Sequence, residues 1–192
     1  MAIKKGKIII LVSPSGGGKS TIAKRLFNDF DRLKFSVSAT TRPPREGEKD
    51  GVHYHYLSPE KFQDRIEAGD FLEWEEFYGG KRYGTLQSEV DKKLESGYFI
   101  LLDIEVKGAL NVKKLYGDEA LSLFIEPPSI EILKQRLKAR GTETKETLKL
   151  RLDRANKELT YAHHFDRVII NDHLDTAYNE VKQAVSEFMN KT

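Results

Sequence analysis

Apolar residues follow two rhythms along this chain. Short unbroken runs stand at Ile8–Val12, Tyr98–Leu102, Leu121–Ile125 and Val168–Ile170, the pattern of strands buried on both faces. Between the runs the spacing changes to three and four residues, which lays apolar side chains along one side of a helix. Ile22, Ala23, Leu26 and Phe27 form one such set, and Phe62 and Ile66 another. Leu86, Val90 and Leu94 form a third, and Leu148, Leu152, Ala155 and Leu159 a fourth. Leu174, Ala177, Tyr178, Val181, Ala184, Val185 and Phe188 predict a final amphipathic helix. Ser58-Pro59 opens the second helix and Gly69 closes it, while Gly97 follows the third, as capping and turn chemistry favour. Strands alternating with helices predict a wound α/β core around a parallel sheet.

Two segments depart from this rhythm. Residues 36–85 are polar, aromatic and turn-rich, with alternating stretches such as His53-Tyr54-His55-Tyr56 and Phe71–Phe77. They predict a small, partly antiparallel insertion. Residues 136–157 are crowded with arginine and lysine around Arg140-Gly141-Thr142. A glycine between two basic helical stretches predicts a moving lid.

The first strand runs straight into Ser13-Pro14-Ser15-Gly16-Gly17-Gly18-Lys19-Ser20-Thr21. Strand, glycine-rich turn, lysine, hydroxyl and helix, in that order, wrap a polyphosphate. Glycines let successive N–H groups point at phosphate oxygens, and the helix N-terminus adds its positive end. Lys19 then reaches the outer phosphates, and the Ser20 hydroxyl is placed for a magnesium ion. Ser13 stands where the phosphate-loop pattern asks for its first glycine. Further on, Pro43 and Pro44 hold an extended stretch between Arg42 and Arg45. With about three residues per turn, the two guanidiniums share a side and make a fork for a phosphate monoester. Tyr54 and Tyr83 supply hydroxyl donors for the same group. Asp103 ends the second apolar run, at the rim where α/β sheets place ligands. There it could orient the water shell of magnesium or contact a second nucleotide.

Composition narrows the picture further. The chain has 192 residues, with 32 basic and 30 acidic side chains and a net charge of +2, so no global field points to nucleic acid or an anionic membrane. It contains no cysteine, which excludes disulfides and thiolate metal sites. The first apolar run is five residues long, too short for a signal core or a membrane span, and the cytoplasm is the expected compartment. His53, His55, His163, His164 and His173 lack metal-ligand spacing.

These blocks together resemble the guanylate kinases, which convert GMP and ATP to GDP and ADP. The resemblance rests on residues 13–21, Ser38-Ala39-Thr40-Thr41-Arg42-Pro43-Pro44-Arg45, Gly51-Val52-His53-Tyr54 and Phe71-Leu72-Glu73-Trp74. It continues through Arg82-Tyr83-Gly84-Thr85, Leu102-Asp103-Ile104-Glu105 and Phe124–Ser129, and ends with residues 140–144 and Ile169–Asp172. It implies a three-layer P-loop nucleoside-monophosphate kinase fold with core residues 1–35, 91–130 and 160–192. An inserted α+β GMP-binding subdomain at 36–90 and a helical lid at about 131–159 complete that fold.

The resemblance also implies roles. Residues 13–21 with Arg140, Asn171 and Asp172 contact ATP, and Ser20 helps hold Mg2+ on the ATP phosphates. Arg42, Arg45, Tyr54 and Tyr83 hold the GMP phosphate, while Ser38, Glu73, Thr85 and Glu105 read guanine, with Asp103 close by. Glu105 replaces the aspartate more common in the family, and Lys107 stands where glutamine is frequent. Lys19, Arg136, Arg140 and Arg151 stabilise the moving phosphoryl group as the two nucleotide pockets close on one another. ATP and GMP are the expected partners, with neither nucleic acid nor membrane. Rival readings are a ribose-phosphate kinase on the same scaffold, a peptide-binding module that has lost catalysis, and a GTPase. The intact loop Gly16–Ser20 and the presence of Ser38 and Glu73 argue against the first two. The absence of an Asn-Lys-x-Asp element argues against the third.

Overall fold

The computed structural model describes residues 5–77, 79–139, 141 and 144–191. Its strands, in chain order, are β1 (Ile8–Val12), β2 (Leu33–Phe35), β3 (Ser38–Thr40), β4 (His55–Tyr56) and β5 (Phe71–Phe77). β6 (Lys81–Leu86), β7 (Phe99–Asp103), β8 (Ala120–Glu126) and β9 (Arg167–Ile170) complete the set. The helices are α1 (Lys19–Asp29), α2 (Pro59–Glu67), α3 (Gln87–Glu95), α4 (Val106–Tyr116), α5 (Ile130–Ala139), α6 (Lys145–Leu159) and α7 (Leu174–Asn190). The strands form a five-stranded sheet in the order β2-β7-β1-β8-β9 and a four-stranded sheet in the order β4-β3-β6-β5. The chain divides into two compact units, one of Met1–Lys7 with Lys34–Ile100 and one of Ile8–Leu33 with Leu101–Thr192.

In the second unit the parallel pairing expected from the apolar runs is present. β1 aligns with β8 from Ile8 opposite Ala120 to Val12 opposite Phe124. β8 aligns with β9 from Leu123 opposite Arg167 to Glu126 opposite Ile170, but β9 is an edge strand that buries only Ile169, so the expectation that Val168–Ile170 is covered on both faces fails. Every residue of β1 is buried, as a central strand covered on both faces requires. α7 buries Ala177, Tyr178, Val181, Ala184, Val185 and Phe188, the stripe its spacing predicts. α5 and α6 share a core of Leu133, Leu137 and Ala155, with Ile130, Leu148 and Leu152 packed against it.

The first unit has its own core. Ala39, Phe62 and Leu86 are buried together, with Leu57, Ile66 and Phe71 against them, and the Phe62 and Phe71 rings stack at 4.4 Å. The Ser58 hydroxyl caps α2 by accepting from Lys61 N–H at 3.2 Å, and Pro59 occupies the first turn, where its missing N–H costs nothing. β6 pairs antiparallel with both β3 and β5, whereas β3 and β4 run parallel.

Candidate functional site

The residues read as the ATP side lie in the second unit. β1 ends at Val12, and the loop turns into α1 through Gly18, whose φ of 100° only glycine adopts readily. Gly17 N–H closes the turn on Pro14 O at 2.9 Å. Each loop glycine also has a packing reason. A Cβ on Gly16 would come within 3.0 Å of Leu133 on α5, and one on Gly18 within 2.2 Å of Asn171 Nδ2. A Cβ on Gly17 would meet Ser13 Oγ at 2.0 Å. The serine at the first loop position thus fills room that Gly17 leaves, and its hydroxyl donates to Pro14 O at 3.2 Å.

Lys19 begins α1 and pairs with Asp103 at the end of β7. Ser20 follows it on the exposed side of the first turn. Asn171, only 3% exposed, donates Nδ2–H to Gly17 O at 2.7 Å, and its N–H bonds Glu126 O at 2.7 Å. Its side-chain amide therefore supports the loop from beneath, a role its position after β9 did not disclose. Arg136 on α5 donates to the carbonyls of Asn171 at 2.9 Å and Asp172 at 3.2 Å. Arg151 on α6 reaches Ser15 Oγ at 2.5 Å. Two of the three arginines that the sequence assigns to a lid thus bear on the loop or its support; Arg140, with Thr142 and Glu143, lies outside the described residues.

Glu105 precedes α4 and accepts from Arg154 at 2.7 Å, while Arg154 also holds Glu158 at 2.7 Å. Burial pushes the Glu158 carboxyl above its ordinary range; the Arg154 charge opposes this and the Glu105 charge adds to it.

The residues read as the GMP side, other than Asp103 and Glu105, lie in the first unit. β-sheet register brings three of them together: Thr85 on β6 faces Ser38 on β3 and Glu73 on β5. The buried Thr85 hydroxyl donates to Glu73 Oε1 at 2.6 Å. A second group gathers around Arg42, which is 7% exposed. Its guanidinium lies over the rings of Tyr54 at 5.3 Å and Tyr56 at 5.9 Å, and the Tyr54 and Tyr83 rings meet edge to face at 6.0 Å. Arg45 is exposed. Glu48, which the sequence did not single out, accepts from both terminal nitrogens of Arg42 at 2.8 and 2.9 Å.

The guanylate kinase family model matches residues 5–188. The chain belongs to the guanylate kinase family. A guanylate kinase of Salinibacter ruber is 52% identical over 182 residues, 95% of this chain and 96% of the relative. One of Bacteroides thetaiotaomicron is 50% identical over 186 residues, 97% of this chain and 91% of the relative. The crystal structure of guanylate kinase from Anaplasma phagocytophilum superposes with a TM-score of 0.73 at 28% identity, covering 96% of this chain and 86% of that one. As a guanylate kinase family member the chain is a nucleoside-monophosphate kinase, and its mixed α/β fold with a parallel central sheet agrees with that family's P-loop kinase fold. Among the described residues no cluster of three or more histidine or acidic side chains is arranged to hold a metal by itself. No described helix is long and apolar enough to cross a membrane.

Proposed function

We propose that this chain transfers the γ-phosphoryl group of magnesium-ATP to the phosphate of GMP, giving ADP and GDP. The observation that carries the reading is the Ser38–Thr85–Glu73 neighbourhood, with Thr85 Oγ donating to Glu73 at 2.6 Å. Guanine offers N1–H and a 2-amino group as adjacent donors, which one carboxylate oxygen or both can accept. Adenine offers no such pair and would leave the carboxylate unmatched. The Thr85 hydroxyl fixes the carboxylate's orientation before the base arrives, and Ser38 supplies a further hydroxyl on the adjoining strand.

Arg42, Arg45, Tyr54 and Tyr83 hold the GMP phosphate by charge and hydroxyl donation. On the donor side the loop N–H groups cradle the ATP phosphates. Lys19 exchanges Asp103 for phosphate oxygens. The Ser20 hydroxyl, a hard oxygen donor, would hold the magnesium of magnesium-ATP, with the Asp103 carboxylate near enough to orient its waters, and the ion would neutralise phosphate charge. A GMP phosphate oxygen attacks the γ-phosphorus, the bond to the β,γ-bridging oxygen breaks, and ADP leaves with that electron pair. No general base is needed, because a phosphate monoester is already largely a dianion at neutral pH. Lys19 and the lid arginines stabilise the charge that spreads over the moving group.

The test is ADP release from ATP in the presence of GMP, AMP or ribose 5-phosphate, with the product identified. GDP formation with GMP alone supports the reading. A ribose phosphate as the preferred acceptor would replace it with the rival kinase, and no turnover with any acceptor would favour a binding module.

A further inference from the structure

Glu48 is an acidic residue inside a site meant for an anion, and its surroundings explain why it is there. It sits in a turn closed by Glu48 N–H to Arg45 O at 3.0 Å, with Gly47 at φ 81°, the conformation a type II turn demands. The turn aims its carboxylate inward. Oε2 accepts from Arg42 Nη1 at 2.8 Å, Arg45 N–H at 2.7 Å and the Tyr56 hydroxyl at 2.8 Å. Oε1 accepts from Arg42 Nη2 at 2.9 Å. Arg42 Nη1 donates in addition to Pro43 O at 2.7 Å. Arg42 and Glu48 side chains are 7% and 18% exposed, so neither charge is solvated enough to stand alone.

A guanidinium carries five N–H donors in one plane. Glu48 and Pro43 take both hydrogens of Nη1 and one of Nη2. They leave aside the edge formed by Nε and Nη2, whose two near-parallel N–H bonds suit two oxygens of one phosphate. The Tyr83 hydroxyl also interacts with this guanidinium, and the rings of Tyr54 and Tyr56 cover its face.

We propose that Glu48 is the positioning residue of the acceptor-phosphate site. By clamping one edge of Arg42 and the backbone of Arg45 together, it fixes which edge of Arg42 meets the phosphate. The substrate then loses little affinity to ordering a long side chain. The identity of that phosphate as GMP rests on the function proposed above; the clamp itself rests on the geometry.

The test is steady-state kinetics of Glu48→Gln, which keeps the size and removes the charge, in the wild-type and the Arg42→Ala backgrounds. The KM for GMP should rise roughly tenfold to a hundredfold, the loss expected of charge-assisted bonds, with the KM for ATP unchanged. In the Arg42→Ala background the same substitution should have little further effect, because its route to the phosphate is already gone. An unchanged KM for GMP, or an equal rise in both backgrounds, overturns the proposal. Should Glu48→Gln fail to fold, Glu48→Asp decides by the same readout, since its shorter arm cannot span Arg42 and Arg45 together; an unchanged KM for GMP again overturns it. Wild-type enzyme that forms no GDP would instead remove the function proposed above.

Discussion

Ser13 shows how one side chain and one missing side chain can trade places. The loop accepts serine at a glycine position because Gly17, 2.0 Å from Ser13 Oγ by its hypothetical Cβ, has none. Gly18 allows no such exchange, having both a left-handed backbone and the Asn171 amide against it. Gly18→Ala should cost about 1–3 kcal/mol in urea denaturation and weaken ATP binding, leaving GMP binding intact. Lys19→Met should abolish turnover while calorimetry shows GMP binding at wild-type affinity; equal loss of GMP affinity would contradict the assignment of Lys19 to the ATP side. Lys19 and Ser20 could be singled out from the sequence because the phosphate-loop pattern depends on local spacing alone. Glu48 was not. Glu46, Glu48 and Asp50 look alike in the sequence, and only the turn at Gly47 decides that Glu48 faces Arg42.

Among the elements, the apolar runs and the periodic helical stripes were readable; β3, β6, β2 and α4 were not, and Leu86, read as part of a helical stripe, ends β6. β2 buries only Leu33 of its three residues, too little to mark a strand. α4 buries Val106, Ala109 and Val112, a three-residue spacing with no capping signal before it. Sheet register was also hidden, and it is register that places Thr85 between Ser38 and Glu73. Loop-to-element contacts yield two predictions. Asn171→Ala leaves Gly17 O without its buried donor, so we expect a loss of about 1–3 kcal/mol and a raised KM for ATP, with that for GMP unchanged. Arg42 and its companion donors hold the Glu48 carboxyl at about 2, below its ordinary 4.5. A depressed carboxylate stabilises the fold above its unfolded value, and that stabilisation disappears as pH falls through the folded value. Between pH 4.5 and about 2, acid unfolding of the wild type should therefore be steeper than that of Glu48→Gln. Coincident curves would show that the clamp adds nothing to stability.

Across the whole molecule, the residues proposed to bind the two nucleotides are distributed over two units, with Asp103 and Glu105 of the acceptor set in the phosphate-loop unit. The phosphate loop, Arg136 and Arg151 belong to the unit of Ile8–Leu33 and Leu101–Thr192, and Ser38, Arg42, Glu73 and Thr85 to the other. Family similarity spans both, from residue 5 to 188. In the function proposed above, what distinguishes the reaction from other phosphoryl transfers is the choice of acceptor, and that choice rests on Glu73 and its Thr85 partner. The decisive quantity is therefore the ratio of kcat/KM for GMP to that for AMP with ATP as donor. A carboxylate built to meet two guanine donors should favour GMP about ten-thousandfold, and Glu73→Gln should shrink that ratio mainly by slowing GMP. Comparable turnover of GMP and AMP by the wild type, or none with GMP, would contradict it.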